Sequence, residues 1–167
     1  MDKDAYLEIN ASQRPALALF EAMGYTYISP ADCDKQRGSR YHVLLRDILR
    51  GQLRRLNRDA YAGAEHEFSA ANIERAMEDL DEPLTDGLVR TSEKFYDALL
   101  LGKSYPETVG DGKMLSFNLR YIDWDNPQNN VFHVTEEFAV DSQDRQHNAR
   151  PDIVLFINGI PFAVIEC

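Results

Sequence analysis

The apolar stretch from Ile153 to Ile165 is interrupted only at Asn158-Gly159 and Pro161 and is bracketed by Asp152 and Glu166, and it constrains this chain more than any other feature. An Asn-Gly pair between two apolar runs is the strongest short-range signal for a β-hairpin. Ile153, Leu155 and Ile157 alternate with Val154 and Phe156, so both faces of the first strand are apolar, as in the buried centre of a sheet covered by helices. A carboxylate at the end of such a strand is costly unless something compensates it.

Strand register decides whether the two acids can act together. A strict two-residue Asn158-Gly159 loop pairs Ile157 with Ile160 and Asp152 with Ile165, which puts Asp152 and Glu166 on opposite faces. A three-residue loop closed by Phe156 and Ile160, with Gly159 left-handed at a bulge, pairs Asp152 with Val164 and leaves Glu166 diagonal on the same face. We therefore expect a bulge at Gly159, and the donorless Pro161 suits an interrupted ladder there. Mg²⁺ takes one or two carboxylates and keeps several waters, so Asp152, Glu166 and the backbone carbonyl of Cys167 form a suitable half-shell. A cation held there would polarise a scissile phosphate and activate water. The simpler alternative is two strand-end acids in water.

Composition sets the frame for this chemistry. With 167 residues, 44% hydrophobic and 28% charged, the chain falls in the range of one globular domain able to bury a core. No run approaches the roughly 18 apolar residues of a membrane span, and Met1-Asp2-Lys3-Asp4 is too polar for a secretory signal, so a cytoplasmic protein without membrane contact is expected. Cys33 and Cys167 have no metal-ligand spacing, and two cysteines are too few for a disulfide scaffold.

The net charge of −10 argues against a nucleic-acid partner until its distribution is considered. Over residues 35–58, Lys35, Arg37, Arg40, Arg46, Arg50, Arg54, Arg55 and Arg58 stand against the single acid Asp47. Arg46, Arg50, Arg54 and Arg58 recur every four residues, with Leu45, Ile48, Leu49, Leu53 and Leu56 on the other side at helical spacing. This amphipathic helix has either a solvated arginine edge paired with nearby carboxylates or a phosphate-facing surface in which Arg46, Arg50 and Arg54 touch DNA.

The remaining pattern predicts helices over residues 12–23, 41–56, 71–80 and 92–101, and strands over 25–28, 115–123, 131–140, 153–157 and 160–165. Residues 30–39 and 105–112 read as loops and 57–68 as irregular. The economical reading is one α/β domain, helical to about residue 112 with a sheet core beyond it. Gly102-Lys103-Ser104 imitates the end of a phosphate-binding loop, but Asp97 occupies the earlier glycine position, so no ATP site is expected. His42, His66, His133 and His147 show no ligand spacing, and Trp124, Phe132 and Phe138 read as core residues.

Residues 118–167 contain Ile122-Asp123-Trp124-Asp125-Asn126-Pro127-Gln128-Asn129-Asn130-Val131-Phe132, then Glu137-Phe138-Ala139-Val140, then Arg150-Pro151-Asp152 and the hairpin. This combination closely resembles the N-terminal nuclease region of type I restriction enzyme R subunits. Weaker similarity runs upstream through Gly24-Tyr25-Thr26-Tyr27-Ile28 to Leu56-Asn57. The resemblance implies a PD-(D/E)-x-K nuclease fold, a mixed sheet flanked by helices, that cuts double-stranded DNA with Mg²⁺. It implies ATP-driven translocase domains in the same polypeptide, and methyltransferase and specificity subunits as partners. It makes Asp152 the acid after Pro151 and Glu166 the acid of an E-x-K triplet. The lysine would follow Cys167, as would a helix and strand that complete the core, so residues 1–167 alone are expected to have little or no nuclease activity. The glutamate that such proteins tend to carry on the first helix is Glu8, Glu21 or absent, because the matching stretch reads Ala11-Ser12-Gln13-Arg14-Pro15. The rival reading from another class is a non-catalytic DNA-binding or subunit-docking module in which the two acids are structural.

Overall fold

The computed structural model of the protein describes residues 12–61, 64–81, 87–110, 112–142 and 148–167. In chain order the elements are helix α1 (Arg14–Ala22), strand β1 (Thr26–Tyr27), helices α2 (Pro30–Arg37) and α3 (Arg46–Leu56), strands β2 (Arg58–Tyr61) and β3 (Ala64–Glu67), helices α4 (Ala70–Asp79) and α5 (Leu88–Leu101), strands β4 (Lys103–Thr108) and β5 (Met114–Leu119), a 3-10 turn (Pro127–Asn129), and strands β6 (Phe132–Glu136), β7 (Ile153–Ile157) and β8 (Ile160–Ile165). The mixed α/β class expected from the sequence is what these elements form. They fall into two compact units, residues 1–46 with 131–167 and residues 47–130. The sequence division at about residue 112 separated helix from strand and does not coincide with either boundary.

The first unit carries a mixed four-stranded sheet in the order β1-β6-β7-β8, with β1 parallel to β6 and the other neighbours antiparallel. Every residue of β7 is buried, as its two apolar faces require. On one face α1 packs Leu17 against Val134, Ile153 and Leu155, with Ala16, Phe20, Ala163 and Ile165 around them. Fully burying side chains of this size stabilises the fold by about 1.5–3 kcal/mol each. Phe138 meets Phe156 edge-to-face, with ring centroids 5.4 Å apart.

Residues 30–39, expected as loop, contain α2 instead. Its signals are local and polar: the Ser29 hydroxyl accepts from the Asp32 amide, Pro30 occupies the first turn, and Gly38 at φ +71 closes the helix. Apolar periodicity is absent because the helix is anchored by a buried cation. The Arg37 guanidinium, 2% exposed, donates to Asp34 and to the carbonyls of His42 and Ala139, and lies 4.2 Å from the centre of the Phe138 ring.

The hairpin turn is the two-residue form. Asn158 at φ 54 and Gly159 at φ 84 are both left-handed, and Ile157 pairs with Ile160. Val131 and Asn158 exchange bonds, the Asn158 amide donating to the Val131 carbonyl and its Oδ1 accepting from the Val131 amide, each at 2.9 Å. The expected bulge at Gly159 is therefore corrected. Phe156 pairs with Pro161 but Leu155 pairs with Ala163, so Phe162 is the extra residue. β8 is an edge strand and Phe162 is half exposed, so an unpaired residue is tolerated there beside a proline that lacks a donor.

The second unit holds two antiparallel ribbons: β2-β3 lies where irregular chain was expected, and β4 lies where loop was expected, paired with β5 inside the strand expected over 115–123. In β4, Tyr105 and Glu107 point inward on either side of Pro106, whose carbonyl accepts from Asn72. A two-stranded ribbon has open edges, so the donorless proline does not break it. α4 buries Ile73, Ala76 and Met77, and α3 buries Leu49 and Leu53. The polar run 123–130 closes on itself: Asp123 accepts from the Asn126 amide and the Asn129 side chain, while Asn130 accepts from the Asp123 amide and donates to its carbonyl. Trp124, expected in the core, is instead 45% exposed and donates to the Leu99 carbonyl. Phe138 is buried as expected.

Candidate active site

Asp152 is half-buried and stands immediately before β7. The ladder beyond the bulge pairs Ile153 with Ile165, and extending that register by one residue sets Asp152 across from Glu166. Directly opposed residues of an antiparallel pair share a face. The bulge at Phe162 thus has the consequence that an uninterrupted two-residue hairpin would have prevented. Glu166 is exposed, at the end of the edge strand.

The surroundings of Asp152 are built largely from backbone. Its Oδ2 accepts from the Cys167 amide at 2.7 Å. Its carbonyl accepts both from the Gln13 side-chain amide at 3.0 Å and from the Glu137 amide at 2.9 Å. Glu137 adopts a left-handed φ of 50, and its carboxylate lies 2.7 Å from Arg150 Nε. At Cys167 the group that meets Asp152 is the amide, whereas the carbonyl was the group expected on a metal.

Nothing in the sequence marks Gln13, since the resemblance points only to an acid on the first helix. Glu8 lies outside the described residues. Glu21 is exposed and lines an open cleft with Arg14, Leu17, Ala18, Tyr27 and Glu136. There the Tyr27 hydroxyl donates to Glu136 at 2.9 Å, and burial, followed by that bond, pushes its pKa up to about 12. The α1 side chain bonded to the Asp152 segment is Gln13.

Among the described residues no three His, Cys, Asp or Glu side chains are grouped to hold a metal ion. Two opposed carboxylates still match a hard cation such as Mg²⁺, which completes its shell with water. Cys33 and Cys167 are both free thiols, the first buried beside Thr135 with its pKa raised by that burial.

The arginines of α3 divide. Arg50 donates to Glu74 and to Asp47, while Arg58, expected to continue the helical row, lies in β2 instead, 3.2 Å from Glu67. Arg54 is exposed with no partner among the described residues, and Arg46 is half-buried. Gly102-Lys103-Ser104 sits where α5 ends and β4 begins, the reverse of the strand-to-helix order of a phosphate-binding loop, and Lys103 pairs with Asp79 at 2.8 Å. No helix among the described residues is long and apolar enough to cross a membrane.

Residues 5–167 match the family described as the N terminus of the type I restriction enzyme R protein. The chain is similar to two proteins of Methanocaldococcus jannaschii. It is 36% identical over 73 residues to the putative type I restriction enzyme MjaIXP endonuclease subunit, covering 43% of this chain and 7% of that protein. It is 31% identical over 126 residues to the putative type I restriction enzyme MjaVIIIP endonuclease subunit, covering 75% of this chain and 11% of that protein. The chain thus spans about a tenth or less of the length of these relatives.

Proposed function

Because the chain belongs to the family of type I restriction enzyme R-protein N termini, we propose that it forms part of the endonuclease domain of such a subunit and contributes Asp152 and Glu166 to that subunit's hydrolysis of DNA phosphodiesters. The observation that supports this reading is the register beyond the Phe162 bulge, whose last pair is Ile153 with Ile165 and which, continued by one residue, would bring Asp152 across from Glu166.

In this mechanism Asp152 and Glu166 hold Mg²⁺. When bound, the cation polarises the scissile phosphate and lowers the pKa of a coordinated water. The chain's own part is orientation. The Cys167 amide takes one oxygen of the Asp152 carboxylate, Gln13 and Glu137 hold its backbone, and the apolar strands fix the spacing to Glu166. The third group of an E-x-K site would be a lysine that stabilises developing charge.

The DNA duplex is the proposed substrate, with Arg54, which is exposed and has no partner among the described residues, as the best placed of the α3 arginines to meet a phosphate. ATP-driven steps, and assembly with methyltransferase and specificity subunits, are proposed for the whole R subunit rather than for these residues. Isothermal titration with Mn²⁺ or Mg²⁺ tests the reading. The chain is expected to bind one ion and Asp152→Ala to abolish binding. An unchanged isotherm in Asp152→Ala would sink the catalytic reading and favour a docking module.

A further inference from the structure

We propose that Gln13 is a positioning residue for Asp152, fixing the metal carboxylate through its backbone; this rests on the reading of Asp152 as a metal ligand. Gln13 is 4% exposed, and its side chain crosses from the start of α1 to the Asp152 carbonyl, 139 residues away in sequence. A buried side-chain amide needs partners, and this one is matched to the backbone of the residue whose orientation the chemistry depends on.

The same carbonyl also receives the Glu137 amide at 2.9 Å. A carbonyl oxygen has two lone pairs, so Gln13 and Glu137 together fill it. Glu137 presents its amide from a left-handed backbone that a non-glycine residue seldom adopts, and the ion pair with Arg150 ties down its side chain. Meanwhile Oδ2 is held by Cys167 and Oδ1 has no partner among the described residues. The carboxylate is thus anchored at its backbone and at one oxygen, leaving the other oxygen for a cation. Outer groups that orient a ligand in this way typically change metal affinity or activity by about 10–100-fold when removed.

The test is Mn²⁺ titration of the 167-residue chain carrying Gln13→Met, which keeps the size but not the donor, and Gln13→Glu, whose ionised carboxylate cannot donate. Thermal unfolding of the same samples by circular dichroism reports whether they fold. Both variants are expected to stay folded and to bind Mn²⁺ about tenfold or more weakly than the parent. Gln13→Met binding with parental affinity would overturn the proposal while leaving the metal site standing. Tighter binding by Gln13→Glu would also overturn it, by showing that position 13 faces the cation as a ligand. If Gln13→Met does not fold, Gln13→Glu decides alone. A parent chain with no Mn²⁺ affinity would overturn the underlying reading, and this proposal with it.

Discussion

Asn57 joins the end of α3 to the segment after β5 through three bonds. Its side-chain amide donates to the carbonyls of Leu53 and Arg120, and its Oδ1 accepts from the Arg120 amide. Asn57→Ala would remove the side-chain partner of both the Arg120 amide and the Arg120 carbonyl, while the Leu53 carbonyl keeps the Asn57 backbone amide, and is expected to cost about 2–3 kcal/mol, read from the urea midpoint. Gly102 is constrained differently. It ends α5 at φ +77, and a Cβ there would lie 2.5 Å from the Leu119 carbonyl and 2.8 Å from the Asn118 side chain. Gly102→Ala combines backbone strain with that clash, for an expected loss on the order of 2–3 kcal/mol in the same assay. Asp152 and Glu166 were legible from sequence because chain order places them at the two ends of one hairpin. Gln13 was not, because its part arises from a contact between segments far apart in the chain.

Among the elements, those that bury an apolar stripe were readable: α1, α4, β7 and β8 lie within a few residues of where periodicity placed them. α2 was hidden because its stability comes from capping and the buried Arg37, which leave no apolar period. β4 was hidden by Pro106, even though its partner β5 falls within the strand expected over 115–123. The bulge was foreseen as a requirement but placed at the turn, since nothing local marks Phe162 as the unpaired residue. At α3 the division among arginines gives a direct expectation for DNA binding. Arg54→Ala should lower affinity and reduce the slope of log affinity against log salt by about 1. Arg50→Ala should change the slope less, because Glu74 and Asp47 already hold that cation. Equal slopes for Arg54→Ala and the parent, from fluorescence anisotropy across a salt series, would remove α3 from the DNA surface.

Across the whole molecule, tyrosine hydroxyls are tied to polar neighbours: Tyr27 donates to Glu136, Tyr105 to Asp79 and Tyr121 to the Ala76 carbonyl. Burial is the largest cause of raised pKa values at Tyr27 in the first unit and at Tyr105 and Tyr121 in the second, with Tyr27 and Tyr121 pushed up to about 12. The unfolded chain releases these protons near the ordinary value of 10.0, so above it the folded state binds more protons. The associated stability is complete below pH 10 and is expected to fall as pH rises from 10 towards 12. Denaturation midpoints followed together with phenolate absorbance check this, and a midpoint independent of pH in that window would contradict it. The hairpin turn bears on the protein's chemical lifetime. Asn-Gly is the dipeptide most prone to cyclise to a succinimide, a reaction in which the glycine nitrogen attacks the asparagine side chain. Here Asn158 is fully enclosed, its Oδ1 is held by Val131, and the Gly159 carbonyl is held by Leu45. Ageing of the native protein should therefore spare this asparagine, and deamidation at Asn158 seen by mass spectrometry would mark molecules that had already lost their fold.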